Sequence, residues 1–100
     1  MDLSLFERLA GMGFEAAPLP NIANHFVLQR DGFAALVPVW NEELGKPGAA
    51  GLITEAGLAV LVWRSAEPWF VARGFERRAE PGEVEDLRRF SADLDSAFQP

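Results

Sequence analysis

Apolar and polar positions along this chain repeat with two different periods. Near the N-terminus Leu5, Leu9 and Met12 recur at intervals of four and three, which puts them on one side of a helix over residues 4–12. Ser4 and Glu7 have capping-box spacing, and Gly11 and Gly13 offer the left-handed residue that closes a helix. The same period returns at the other end. Val84, Leu87, Phe90, Leu94 and Phe98 form a stripe over residues 81–98. Pro81 suits the first turn, and Glu80, Glu83, Glu85 and Asp86 set negative charge at the positive end of the helix dipole. Glu85 is placed to pair with Arg88 or Arg89.

Between these helices, from about residue 22 to residue 75, the period is that of strands. Residues 22–30 and 33–40 flank Asp31-Gly32, a pair suited to a tight turn in which both residues have positive φ. A two-residue loop sets Arg30 opposite Phe33, Leu28 opposite Ala35 and Phe26 opposite Val37. Phe26, Leu28, Phe33, Ala35, Val37 and Val39 then share one face, and His25, Val27, Gln29, Ala34, Leu36 and Pro38 share the other. Pro38 has no N–H to give a neighbour, so its strand is expected at an edge or bulged near its end.

Pro18-Leu19-Pro20-Asn21 reads as an extended linker into the first strand, and residues 41–51, with three glycines and Pro47, as a loop. Leu52-Ile53-Thr54 reads as a short strand that turns at Glu55-Ala56-Gly57. Residues 58–64 are apolar at almost every position, the mark of a strand covered on both faces or central in its sheet. After a turn at residues 65–68, residues 69–73 return as a strand that Gly74 interrupts. The expected fold is therefore α+β: one domain over residues 1–100, an antiparallel meander of four to five strands with the N- and C-terminal helices packed on one face. Phe26, Leu28, Val37, Val60, Val62, Leu87, Phe90 and Leu94 are its expected core.

Charge adds a map. The net charge is −6, which disfavours nonspecific contact with nucleic acid or anionic lipid. Residues 61–79 are the exception, with Arg64, Arg73, Arg77 and Arg78 against Glu67 and Glu76. No stretch approaches the length of a membrane-spanning helix. Without a basic, apolar leader at its start, the chain is expected in the cytoplasm. It has no cysteine, so disulfides do not hold it together.

The chemistry is sparse. His25 is the only histidine, and no nucleophile elbow accompanies it. A strand histidine with a structural hydrogen bond is its ordinary reading. Glu42, Glu43 and Glu55 lie in or near loops, where exposed carboxylates are common. No spacing suits a metal or a cofactor. Gly45-Lys46-Pro47-Gly48 lacks the ending of a phosphate-binding loop, and Pro47 removes a donor that such a cradle needs. Residues 41–51 read as a flexible connection, with a mobile flap or partner-binding loop as the alternative. Trp63, Arg64, Trp69 and Arg73 interleave aromatics with arginine, as base-stacking sheets do. The acidic flanks and the missing RNA-binding consensus run against that reading.

The candidate binding residues are Trp63, Arg64, Trp69, Arg73 and His25. No catalytic residue, metal ligand or cofactor is assigned. The expected function is a non-catalytic protein-binding or regulatory module acting through its sheet face, with a protein partner or a second copy of the chain. The reason is that apolar side chains lie on both faces of the sheet, and two short helices can cover only one. The alternative is a small enzyme or ligand-binding protein with a pocket between sheet and C-terminal helix, using His25, Thr54, Glu55 and Arg64.

Overall fold

A computed structural model of the chain describes residues 3–18, 24–41 and 43–99. Helix α1 spans Leu3–Gly11 and helix α2 spans Pro81–Phe98. Between them run β1 (Glu15–Pro18), β2 (His25–Arg30), β3 (Phe33–Trp40), β4 (Glu43–Leu44), β5 (Ala50–Thr54), β6 (Gly57–Arg64), β7 (Glu67–Ala72) and β8 (Phe75–Arg78). The fold is α+β, and its eight described strands form one antiparallel sheet in the order β1-β2-β3-β5-β6-β7-β8, with β4 beside β3. That is more than the four or five strands expected. Among the described residues no helix is long and apolar enough to cross a membrane.

Three strands were hidden in the sequence. Residues 15–18 form β1, which pairs with β2; four residues are too few to show a period. Leu19 to Asn21 of the expected linker, and Ile22 and Ala23 of the first strand, lie outside the described residues. Gly74, with φ 77°, turns the chain into a separate β8 rather than interrupting one strand. The expected loop is bound to β3. Leu44 lies opposite Val39 and Ala50 opposite Ala35. Residues 45–49 therefore run beside only residues 36–38, a bulge of two extra residues. Gly45 N–H donates to the Pro38 carbonyl at 2.7 Å, and Gly48 N–H to the Leu36 carbonyl at 2.8 Å. This settles the place of Pro38. Val39 N–H donates to Asn24 on the β2 side, so the Pro38 nitrogen points to the bulged side, where no regular ladder needs it.

The β2–β3 hairpin has the expected register, with Arg30 opposite Phe33, Leu28 opposite Ala35 and Phe26 opposite Val37. Asp31 and Gly32 both have positive φ, 53° and 87°. Helix α1 closes with the six-residue hydrogen-bond pattern that follows a left-handed glycine. Phe14 N–H donates to the Leu9 carbonyl at 2.9 Å, Gly13 N–H to the Ala10 carbonyl at 3.0 Å, and Gly13 has φ 87°. Ser4 sits inside this helix rather than before it. In α2 Glu83 reaches back to the Glu80 N–H at 3.0 Å, so the N-terminal donors are met from within the chain.

One buried cluster joins both helices to a single face of the sheet. It holds Leu5 and Leu9 of α1, Leu28, Phe33, Ala35, Val37, Ala59 and Phe70 of the strands, and Val84, Leu87, Phe90, Leu94 and Ala97 of α2. Phe90 lies at its centre, edge-on to Phe14 at 5.3 Å and tilted against Phe33 at 6.2 Å. Ala97 rather than Phe98 completes the buried stripe.

The expected core requires correction at three positions. Phe26 is only half-buried, Val62 is half-buried on the opposite face, and Val60 is 39% exposed there. The reason is register. Phe33 pairs with Leu52 and Leu52 with Ala59, so Ala59 and Leu61 take the helix side and Leu58, Val60 and Val62 the other. Both sets are apolar, so alternation could not choose between them.

Candidate functional site

Among the described residues, the sheet has a second face that no helix covers. Its outward side chains follow from the pairing. Val27 lies opposite Leu36, Ala34 opposite Gly51, Gly51 opposite Val60, Val60 opposite Val71, and Val62 opposite Trp69. Ile53 and Leu58 form a further pair on the same side. These positions run without interruption from β2 to β7. Ile53 is 46% exposed, and Trp40, at the end of β3, is 73% exposed.

The face is not flat. Val27, Gln29, Ala34, Leu36, Ile53, Gly57 and Leu58 line an open groove of about 380 Å³ near the β5–β6 turn. Ala34 is buried at 2% exposure although it faces away from the helices. Gly51, beside it, has no room for a side chain: a Cβ there would clash with the Ala59 carbonyl oxygen. The close approach of β5 and β6 at this point is a property of glycine.

The far end of the face is closed by charges. Arg64 reaches over the Trp69 ring, 5.8 Å from its centroid, to Glu76 at 2.9 Å. Arg78, opposite Trp69, bonds to Glu67. Two ion pairs thus flank the half-buried indole. The Arg64 hydrogen bond and charge hold the Glu76 carboxyl below the usual carboxylate range, and Glu76 in turn raises Arg64. Both pairs are exposed, so they add little stability. Their consequence is that this patch carries almost no net charge.

The five candidate residues separate in space. Arg64 and Trp69 meet on the helix-free face. Trp63 points to the other side, 54% exposed, opposite Pro68. Arg73 is exposed in the β7–β8 turn, at the opposite end of β7 from the β6–β7 turn that follows Arg64. His25 is half-buried at the start of β2 opposite Pro38. Three strand positions separate β2 from β6, about 14 Å. Of the basic residues in 61–79, Arg64, Arg77 and Arg78 each bond a glutamate. The second set does not converge either, since Thr54 and Glu55 lie at the turn that begins β6 and Arg64 at its other end.

A cavity of about 210 Å³ does lie between the sheet and α2, lined by Arg30, Asp31, Phe33, Asp86, Arg89 and Phe90. Arg30 is the residue that sequence reasoning passed over. Its side chain is 16% exposed, donates to the Met12 carbonyl at 3.1 Å and to Asp93 at 2.9 Å, and stacks on Phe14 at 4.4 Å. Its signal was a charged residue in line with Phe26 and Leu28 on the core-facing parity of the hairpin. Arg30 is committed to Asp93, and Arg89 stands 3.7 Å from Asp86. Among the described residues no buried side-chain nitrogen or oxygen lacks a partner, and no three acidic or histidine groups gather to hold a metal.

Comparison with protein-family models, with curated proteins and with solved structures finds no match for this chain.

Proposed function

We propose that the protein is a non-catalytic protein-binding or regulatory module that docks its partner on the helix-free face of the sheet. One observation carries the reading: large apolar side chains, Ile53 and Val60 foremost, stand exposed on a face that is apolar across five adjoining strands. An antiparallel sheet with one wet face ordinarily alternates apolar with polar. Here β6 does not, and each Å² left in water forgoes about 25 cal/mol. A second reading, a small-ligand site, draws on the cavity beside Arg30. That space is below the roughly 300 Å³ at which ligand pockets begin, and its arginines already have carboxylate partners.

The test is affinity capture from native lysate with wild type, Val60→Lys, Ile53→Lys and, as a control on exposed α2, Asp95→Lys. Proteins held by wild type and by Asp95→Lys should be lost with both face variants. The same proteins held by all four would refute docking on this face, and loss with Asp95→Lys alone would move it to the helix.

A further inference from the structure

The two halves of the helix-free face differ in how their charges are met. On β6 to β8 every outward charge has a partner: Arg64 bonds Glu76 and Arg78 bonds Glu67. On the side of β1 to β5 the carboxylates stand without cations. Glu15 lies opposite Gln29 and Glu43 opposite Trp40, both on this face, and Glu55 is exposed in the turn between β5 and β6. Among the described residues no ion pair reaches any of the three. Asp31, in the β2–β3 turn, is 87% exposed and 3.9 Å from Arg30, too far for a hydrogen bond. Between residues 15 and 57 the chain has only two cations, Arg30 and Lys46. The Arg30 guanidinium is spent on Asp93 and the Met12 carbonyl, and Lys46 is exposed in the bulge beside β3.

Shape brings two of these carboxylates to the apolar groove. Gln29 and Ile53 wall the groove that holds Ala34, Leu36 and Leu58. The same two residues also line a second hollow of about 320 Å³, together with Glu15, Arg30 and Asp31. Arg30 lines it with its methylenes, which lie against Gly13. Gln29 donates to Glu15 at 3.5 Å, which leaves the charge of that carboxylate in place. An apolar groove and an acidic hollow thus share one wall.

We infer that groove and hollow are two halves of one peptide site, and that the partner presents a basic, apolar segment. An aliphatic or aromatic side chain fills the groove, and a neighbouring lysine or arginine enters the hollow between Glu15 and Asp31. The inference rests on the docking face proposed above and names the chemistry of what docks there. The apolar side chain takes the exposed Ile53 and its neighbours out of water. The cation gains charge-assisted bonds to two carboxylates, while its methylenes lie along Ile53. An acidic segment, or the phosphates of a nucleic acid, would meet like charge with no free cation in the hollow. The net charge of −6 also draws a basic segment from a distance.

Three short peptides, acetylated and amidated, test both halves against the full chain by fluorescence anisotropy. The first alternates leucine with lysine, the second leucine with glutamate, the third serine with lysine. The first should bind, and the other two at least about tenfold more weakly. Glu15→Gln combined with Asp31→Asn, which keeps a residue suited to positive φ in the turn, should weaken the first peptide roughly tenfold. Glu15→Gln alone should weaken it roughly threefold. Glu7→Gln combined with Asp95→Asn removes the same charge from the helices and should change it by less than about twofold. Circular dichroism melts confirm that each variant folds. No binding of the first peptide up to about 1 mM, a control peptide bound as tightly, or equal weakening by the two double variants overturns the inference. Lysate capture separates this outcome from failure of the docking face. Proteins lost with Ile53→Lys but held by Glu15→Gln with Asp31→Asn would keep the face and overturn the basic partner. Proteins held by Ile53→Lys as well would overturn the face.

Discussion

Replacing Arg30 with alanine tests how both helices are held to the hairpin. The guanidinium joins four elements: it extends from β2, bonds the Met12 carbonyl just after α1, lies on the Phe14 ring before β1, and reaches Asp93 in α2. A charged donor to this partly buried carbonyl is worth about 1.5–3 kcal/mol. Stacking on Phe14 adds roughly 0.5–1 kcal/mol. The Asp93 carboxylate is partly exposed, so solvent screening leaves that ion pair about 0.5 kcal/mol. The expected loss is about 3 kcal/mol. With a urea slope near 1.5 kcal/mol per M, the midpoint should fall by about 2 M. Asp93→Ala should cost about 0.5–1 kcal/mol, and Arg30→Lys should recover less than half, since a point-like ammonium cannot span two acceptors and cover a ring. A cost under about 1 kcal/mol for Arg30→Ala would refute the role of the side chain as a latch. Equal costs for Arg30→Ala and Asp93→Ala would assign its effect to the ion pair instead.

Further outcomes follow from the same contacts. Phe90→Ala should destabilise by about 3–5 kcal/mol in denaturant melts, because a fully buried ring between Phe14 and Phe33 leaves a cavity. Ser65 and Ala66 both hold positive φ, 50° and 65°, in the β6–β7 turn; replacing them with Asn-Gly should raise stability by about 1 kcal/mol. Gly51→Ala should cost more than about 2 kcal/mol, since the clash is with backbone that cannot move aside. Arg77 bonds Glu83 at 2.7 and 2.8 Å and lowers its carboxyl pKa from the ordinary 4.5. Because the folded value is the lower one, the stabilisation is full above 4.5 and is lost as pH falls through the folded value. Glu83→Gln should flatten the acid limb of the stability profile below pH 4.5 and lower the plateau above it.

The elements that repeat over several turns or that carry turn chemistry were legible. The stripe from Val84 to Leu94 and the register set by Asp31-Gly32 both stand as expected. What could not be read was short or symmetric. Four residues of β1 show no period, and residues 45–49 look like free loop because their hydrogen bonds go to β3 through glycine N–H groups. The face of β6 was undetermined because Leu58, Val60 and Val62 rival Ala59, Leu61 and Trp63 in apolarity. Arg64 and Trp69 meet on one face, but Trp63, one residue before Arg64, points the other way by the pleat alone. Arg30 was hidden because its partners Met12, Phe14 and Asp93 are distant in sequence.

The most direct test of the docking face is affinity capture from native lysate with Val60→Lys beside wild type, each shown by circular dichroism to be folded. The account predicts that the proteins held by wild type are lost with Val60→Lys, while the variant still folds because Val60 lies on the helix-free face and not in the core. A Val60→Lys protein that holds the same proteins as wild type, or that fails to fold, would contradict it.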